Sequence, residues 1–136
     1  MGYYAQLTFG NQKRVDILVL NPENNKMIQI EVKSKQKTDF PFCKGIKGDN
    51  SFLVFVDFEN KKLNGQPDFY ILNEKNWIDL VEDRIQEFPD KKITRNQDNC
   101  PIWTHKSTGT PHSGMRITHE NINAYESWDI IKNALK

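Results

Sequence analysis

Apolar and polar residues alternate along Lys26–Lys33. Ile28, Ile30 and Val32 point one way, and Gln29, Glu31 and Lys33 the other. A period of two is the signature of a half-buried β-strand. Two segments before it, Tyr3–Phe9 and Arg14–Leu20, read as further strands. The first closes on Gly10-Asn11, and the second is rich in β-branched and aliphatic residues. Asn21-Pro22-Glu23-Asn24-Asn25 carries turn chemistry at every position. Together the three strands predict an antiparallel meander. Residues 34–50 are polar and basic and hold Gly45 and Gly48, which predicts a loop. Ser51–Phe58 is almost unbroken apolar, as expected of a central strand buried on both faces. A turn over Asn60–Pro67 and a strand over Asp68–Leu72 follow.

The period then changes. Trp77, Val81, Ile85 and Phe88 recur at helical spacing, predicting a helix from Glu74 to Phe88 with Asn73 as its cap and Pro89 as its end. Ala124, Trp128, Ile131 and Leu135 predict a second helix over Ala124–Leu135, with Asn123 as cap and Glu126 in the capping-box position. Trp77 and Trp128 lie on these stripes and are expected in the core. Residues 89–119 form a long connection, of a kind that is functional or mobile, in which Met115–Thr118 can supply a short edge strand. No repeat or low-complexity tract interrupts the chain. The expected fold is a single α/β domain over residues 1–136, a mixed sheet with flanking helices.

Composition narrows the classes of function. The 136 residues, 37% hydrophobic and 27% charged, suit one domain with a real core rather than a disordered chain. The longest apolar runs, Ile17–Leu20 and Phe52–Val56, fall far short of the roughly 20 residues that cross a bilayer. No signal segment opens the chain, so a cytoplasmic location without membrane attachment is expected. Cys43 and Cys100 match no zinc or redox spacing and are expected as reduced thiols. A net charge of +1 does not announce a nucleic-acid binder. Locally, however, Lys33, Lys35, Lys37, Lys44 and Lys47 stand against one acid, Asp39. Such a zone can meet phosphates or can be a solvated loop.

Asp16 sits in an apolar strand between Val15 and Ile17, where an ionised carboxylate is costly without a partner or a cation. Glu31 and Lys33 share the polar face of the next strand. If the strands pair through the Asn21–Asn25 turn, Asp16 comes close to Glu31. A hard divalent ion such as Mg²⁺ (or Mn²⁺) relieves the repulsion between two carboxylates and prefers oxygen ligands. The Val32 carbonyl lies between Glu31 and Lys33 as a third candidate ligand. Lys33 would then orient or deprotonate an attacking water, or neutralise a phosphate. These are the parts of phosphodiester hydrolysis. The same spacing also fits a same-face Glu31–Lys33 salt bridge with Asp16 capping a turn.

Val15-Asp16-Ile17-Leu18-Val19 followed by Ile28-Gln29-Ile30-Glu31-Val32-Lys33-Ser34 resembles the core of the PD-(D/E)xK nuclease superfamily, in its small bacterial members. Phe52–Asp57, Pro67–Leu72 and Trp128-Asp129-Ile130-Ile131 extend the resemblance over most of the chain, but only the first motif carries chemistry. The resemblance implies a restriction-endonuclease-like mixed sheet. It makes Asp16 and Glu31 metal ligands and Lys33 the catalytic lysine of a metal-dependent endodeoxyribonuclease. Gln29, on the same face, would touch the metal water or a phosphate, or simply face solvent. Lys35, Lys37, Lys44 and Lys47 would meet DNA. Val15 stands where the family often has proline. The chain enters its first strand almost at once, so the family's N-terminal core helix is expected to be missing. A homodimer could cover the face that helix would leave bare. A non-catalytic nuclease-fold module that binds nucleic acid or a protein is the alternative function.

His105, Lys106 and His112 stand in the long connection as phosphate or metal contacts, or as a polar surface loop, which is the favoured reading. With His119 they match no zinc spacing. Of the tryptophans, only Trp103 is open to a role as a base-stacking platform.

Overall fold

The computed structural model describes residues 2–9 and 14–136. The Gly10-Asn11 turn lies outside them. Strands β1 (Tyr4–Leu7), β2 (Ile17–Asn21) and β3 (Lys26–Lys35) form the expected antiparallel meander, with Gln6 facing Leu18 and Leu18 facing Gln29. The connection after β3 is not the loop its polarity suggests. It contains β4 (Asp39–Cys43), which leaves the sheet. The chain then re-enters beside β3 as β5 (Ser51–Asp57), parallel to it, with Glu31 opposite Leu53 and Lys35 opposite Asp57. Strand β6 (Asp68–Asn73) returns antiparallel to β5 and completes the order β1-β2-β3-β5-β6. Strand β5 is apolar on both faces because it lies inside the sheet with core on each side.

Helix α1 (Glu74–Glu87) starts where the sequence places it. The Asn73 side chain accepts from the Asn76 N–H at 2.9 Å, and the Asn76 side chain accepts from the Asn73 N–H at 3.1 Å, a reciprocal cap. Beyond it, residues 89–119 are far from structureless. After a 3₁₀ turn at Pro89–Lys91, strands β7 (Thr94–Arg95), β8 (Pro101–Thr104) and β9 (Pro111–Ser113) make a small separate sheet. Strand β10 (Met115–Thr118), the expected short edge strand, pairs with β4. These strands hold two to five residues, too few for a period of two to register. Strands β4 and β10, moreover, pair across some seventy residues of chain, Cys43 with Met115.

The predicted last helix is shortened. Helix α2 (His119–Ile122) is a single turn that ends at Asn123, and α3 runs only over Asp129–Leu135, with Trp128 at its N-terminal boundary. Between them the Tyr125 carbonyl accepts the Ile71 N–H of β6 at 2.7 Å. That bond draws residues 123–128 along the sheet edge, so Asn123 and Glu126 cap nothing in α3. Trp128, expected in the core, is 41% exposed, its ring 5.5 Å from that of Phe69.

Two cores follow from the alternation along β5 and β6, with β3 adding its apolar face to the first. Ile28, Ile30, Phe52, Val54 and Ile71 pack under Ile131 and Leu135 of α3. On the other face Leu53, Phe55, Tyr70 and Leu72 pack under Trp77, Leu80 and Val81 of α1, with Phe40, Cys43 and Ile117. Asn21 and Asn24, from the β2–β3 turn, donate to the Leu135 carbonyl at 2.7 and 3.0 Å and tie the end of α3 to the meander. Exposed Tyr4, Leu7 and Met27 mark the β1–β2 side as the bare part of the sheet. Cys43 and Cys100 are buried and unbridged. Among the described residues no helix is long and apolar enough to cross a membrane.

Candidate active site

Asp16 precedes the regular part of β2 and is placed by an irregularity. Ile17 is the residue in register with Ile30, yet the Asp16 N–H also donates to the Ile30 carbonyl, at 2.8 Å. Two consecutive residues thus oppose one, and the local bulge turns the Asp16 side chain along the strand edge. Its Oδ2 accepts the Val32 N–H at 2.6 Å. On the other side the Asp16 carbonyl accepts the Thr8 N–H at 3.0 Å. Asp16 therefore grips the peptide bond that joins Glu31 to Val32, although neither Asp16 nor Lys33 is among the residues lining the cleft beside Glu31.

Glu31 lies on the polar face of β3, only 3% exposed. Its Oε1 meets the Lys33 Nζ at 2.8 Å, and its Oε2 is buried without a hydrogen-bond partner among the described residues. Lys33 is about one-third exposed and so reaches both the acid and solvent. The buried Cys43 thiol lies within their electrostatic reach. Burial pushes its pKa up to about 12, with Lys33 pulling down and Glu31 pushing up. Cys43 is consequently a neutral thiol at physiological pH rather than a nucleophile.

A cleft of about 300 Å³ opens on this face. Gln29, Glu31 and Ser51 line it from the sheet, Arg14 and Val15 from the approach to β2, and Gly45, Ile46 and Lys47 from the β4–β5 connection. Gly45 has φ +80°, and a Cβ there would lie 1.9 Å from Trp77 Nε1, so only glycine lets this wall close on α1. Asn99 holds the same wall. Its side chain donates to the Ile46 carbonyl at 3.1 Å and to Glu74 at 2.9 Å, while its carbonyl accepts from Trp77 Nε1 at 2.8 Å. Arg14, Ser51 and Asn99 carry no spacing signal. Only the positive φ of Asn99 belongs to a turn type in which asparagine is readable.

The basic zone divides. Lys47 lines the cleft, though its ammonium also donates to the Gln97 carbonyl at 2.7 Å. Lys37 and Lys44 are exposed and are not among the cleft's lining residues. Lys35 is corrected as a DNA contact. Its side chain is buried, with Nζ 3.1 Å from Asp57 and 2.5 Å from Glu59, 5.3 Å from the Phe40 ring centroid. It faces the core because the strand's alternation carries past the solvent-facing end into the fold.

His105 and His112 belong to the β8–β9 region. The His112 ring stacks on Trp103 with centroids 4.5 Å apart, so one face of that indole is already taken. His105 bonds Ser107 at 2.8 Å, and His119 bonds the Tyr70 hydroxyl at 3.1 Å. Among the described residues no three His, Cys, Asp or Glu side chains gather as a metal-binding group. No protein-family model, no curated protein and no solved structure matches this chain.

Proposed function

We propose that this chain is a PD-(D/E)xK nuclease-like protein of restriction-endonuclease-like fold that hydrolyses DNA phosphodiester bonds with a divalent metal. One observation carries the reading: among the described residues Glu31 Oε2 is buried without a partner, while Oε1 holds the Lys33 ammonium. A buried polar atom left unsatisfied costs about 1–3 kcal/mol, and more when charged. A cation bound there removes that cost. The available donors suit a hard ion, since Glu31, Asp16 and the Val32 carbonyl all offer oxygen. The Val32 carbonyl leaves the strand on the same side as the N–H that Asp16 accepts.

Asp16 and Glu31, with Val32, would hold Mg²⁺ or Mn²⁺. When bound, such an ion supplies Lewis acidity and an activated water. Lys33 neutralises a phosphate oxygen or orients that water from its place beside Glu31. Arg14 and Lys47 add positive charge to the cleft, Asp98 on its wall offsets part of it, and Gln29 adds an amide donor. A role in restriction, repair or defence against mobile elements suits this chemistry.

The test is calorimetric titration of Mg²⁺ and Mn²⁺ into wild type, Asp16→Ala and Glu31→Gln, with plasmid nicking measured on the same samples. Binding lost in both variants, with metal-dependent nicking only in wild type, is the expected outcome. Wild type that binds no metal, with or without DNA, removes the catalytic reading. A second reading is a non-catalytic module of the same fold. It is favoured by the Asp16 oxygen already engaged by the Val32 N–H and by the absence, among the described residues, of three ligating side chains close enough to share a metal. DNA retarded equally with and without Mg²⁺, and never cut, would select it.

A further inference from the structure

Among the described residues, β1 pairs only with β2, and its other edge is open. At the opposite end of the sheet, the Tyr125 carbonyl takes the Ile71 N–H and begins to cover β6. An open edge is a template for another strand, and proteins commonly guard one with lysine, proline or a bulge. Tyr4-Ala5-Gln6-Leu7 carries none of these, and all four residues are exposed. Leu7 is 64% exposed and the neighbouring Phe9 86%.

Backbone parity decides which residues face outward. The Thr8 N–H donates to β2's approach at Asp16, so Tyr4 and Gln6, of the same parity, also turn to β2. Ala5 and Leu7 therefore direct their N–H and C=O groups away from the sheet, and Tyr3 and Phe9 share that direction. Side chains at these four positions lie on the face of Ile17 and Val19, since Leu7 opposes Ile17 and Ala5 opposes Val19.

We propose that β1 pairs with β1 of a second copy of this chain, antiparallel about a two-fold axis that crosses the sheet at Gln6. That register sets Ala5 opposite Leu7 and Tyr3 opposite Phe9, twice each. Every outward donor meets an acceptor, the small side chain meets the large one, and aromatic pairs flank the centre. A shift of two residues either way leaves an aromatic without its counterpart. The apolar stripe of Ile17 and Val19 then continues across the junction. Because the axis is perpendicular to the sheet, both Glu31 clefts open on the same side. Their β3 strands are separated by five strand spacings, about 24 Å. Two such sites on one face would suit the two strands of a duplex. The pairing itself stands on the edge geometry and does not depend on catalysis.

Sedimentation equilibrium of the whole chain and oxidative crosslinking of Gln6→Cys test this, with circular dichroism to confirm folding. Wild type is expected at twice the 16.0 kDa of one chain. The two introduced thiols would face each other in a non-hydrogen-bonded pair with Cα atoms about 4.5 Å apart, within disulfide reach. They are expected to crosslink, while the native cysteines stay buried. Leu7→Lys, at an exposed position, should fold and weaken the dimer at least about a hundredfold by placing two ammonium groups in the junction. A wild-type mass of 16.0 kDa throughout the micromolar range overturns the proposal. So does a dimer that Gln6→Cys fails to crosslink or that Leu7→Lys leaves intact. Neither readout responds to metal binding or nicking, so failure here and failure of the nuclease reading are separable.

Discussion

Strand β3 carries two acid–lysine groups on one face, and their surroundings differ. Lys35, with Asp57 and Glu59, forms a closed group whose ammonium has two carboxylate partners and an aromatic ring above it. Glu31 and Lys33, a few residues earlier, form an open group with one oxygen paired and one buried and, among the described residues, unpartnered. Both lysines stand on one strand and both meet carboxylates, but Glu31 belongs to β3 itself while Asp57 and Glu59 come from the end of β5 and just beyond it. What differs is the neighbouring strand: Lys35 stands opposite an aspartate, whereas Glu31 stands opposite Leu53. The first group has its charges balanced from within the fold, so it holds the sheet together. The second matches one acid to one ammonium but leaves a buried Glu31 oxygen with no hydrogen-bond partner among the described residues, which is why the functional reading rests there.

The largest effect should come from Lys35→Ala. It leaves Asp57 buried without its partner and should lower unfolding stability by about 3–5 kcal/mol, read as an earlier urea midpoint. A loss under 1 kcal/mol would mean that the closed group is not structural. Glu31→Gln should act in the opposite direction when metal is chelated. The buried carboxylate's desolvation cost is removed while Lys33, one-third exposed, can turn to solvent, so stability should rise by about 1 kcal/mol. Destabilisation on the scale of Lys35→Ala would erase the distinction and make Glu31 a structural residue. The smallest effect is in alkali. Burial disfavours the Lys35 ammonium, but its hydrogen bonds to Glu59 and Asp57 and their charges outweigh this and hold its pKa above the ordinary value. A raised pKa means that its stabilising contribution is complete below the unfolded-state pKa of about 10.4 and fades as pH rises through the folded one. Wild type should therefore lose stability above about pH 10.4 more steeply than Lys35→Met, in urea melts across that range. Parallel curves would show that the ion group contributes nothing titratable.

Much of the fold was readable because its signals are local. The meander, the buried central strand, the capped first helix and Trp77 in the core all follow from period, turn residues and capping groups within a few positions. The site was readable in the same way up to a point. Asp16, Glu31 and Lys33 belong to one hairpin, and pairing alone sets Glu31 beside Lys33 and Asp16 against the Val32 N–H. The cleft was not readable, because Arg14, Ser51, Gly45 and Lys47 reach it from separate segments. Nor was Asn99, which shapes the cleft wall across 53 residues of chain.

The sequence by itself determined the strands and helices whose periodicity is long enough to be unambiguous, and the placement of two acids and a lysine on one hairpin. Only the tertiary structure decided which lysines face solvent. Lys33 and Lys35 have the same spacing pattern, yet one is open and the other is enclosed by Asp57 and Glu59. It also decided where the last helix starts, since the Ile71–Tyr125 hydrogen bond overrides a helical stripe that includes Trp128. In each case the deciding partner is distant in the chain, and the free energy of burying or pairing a group belongs to the partner as much as to the group itself.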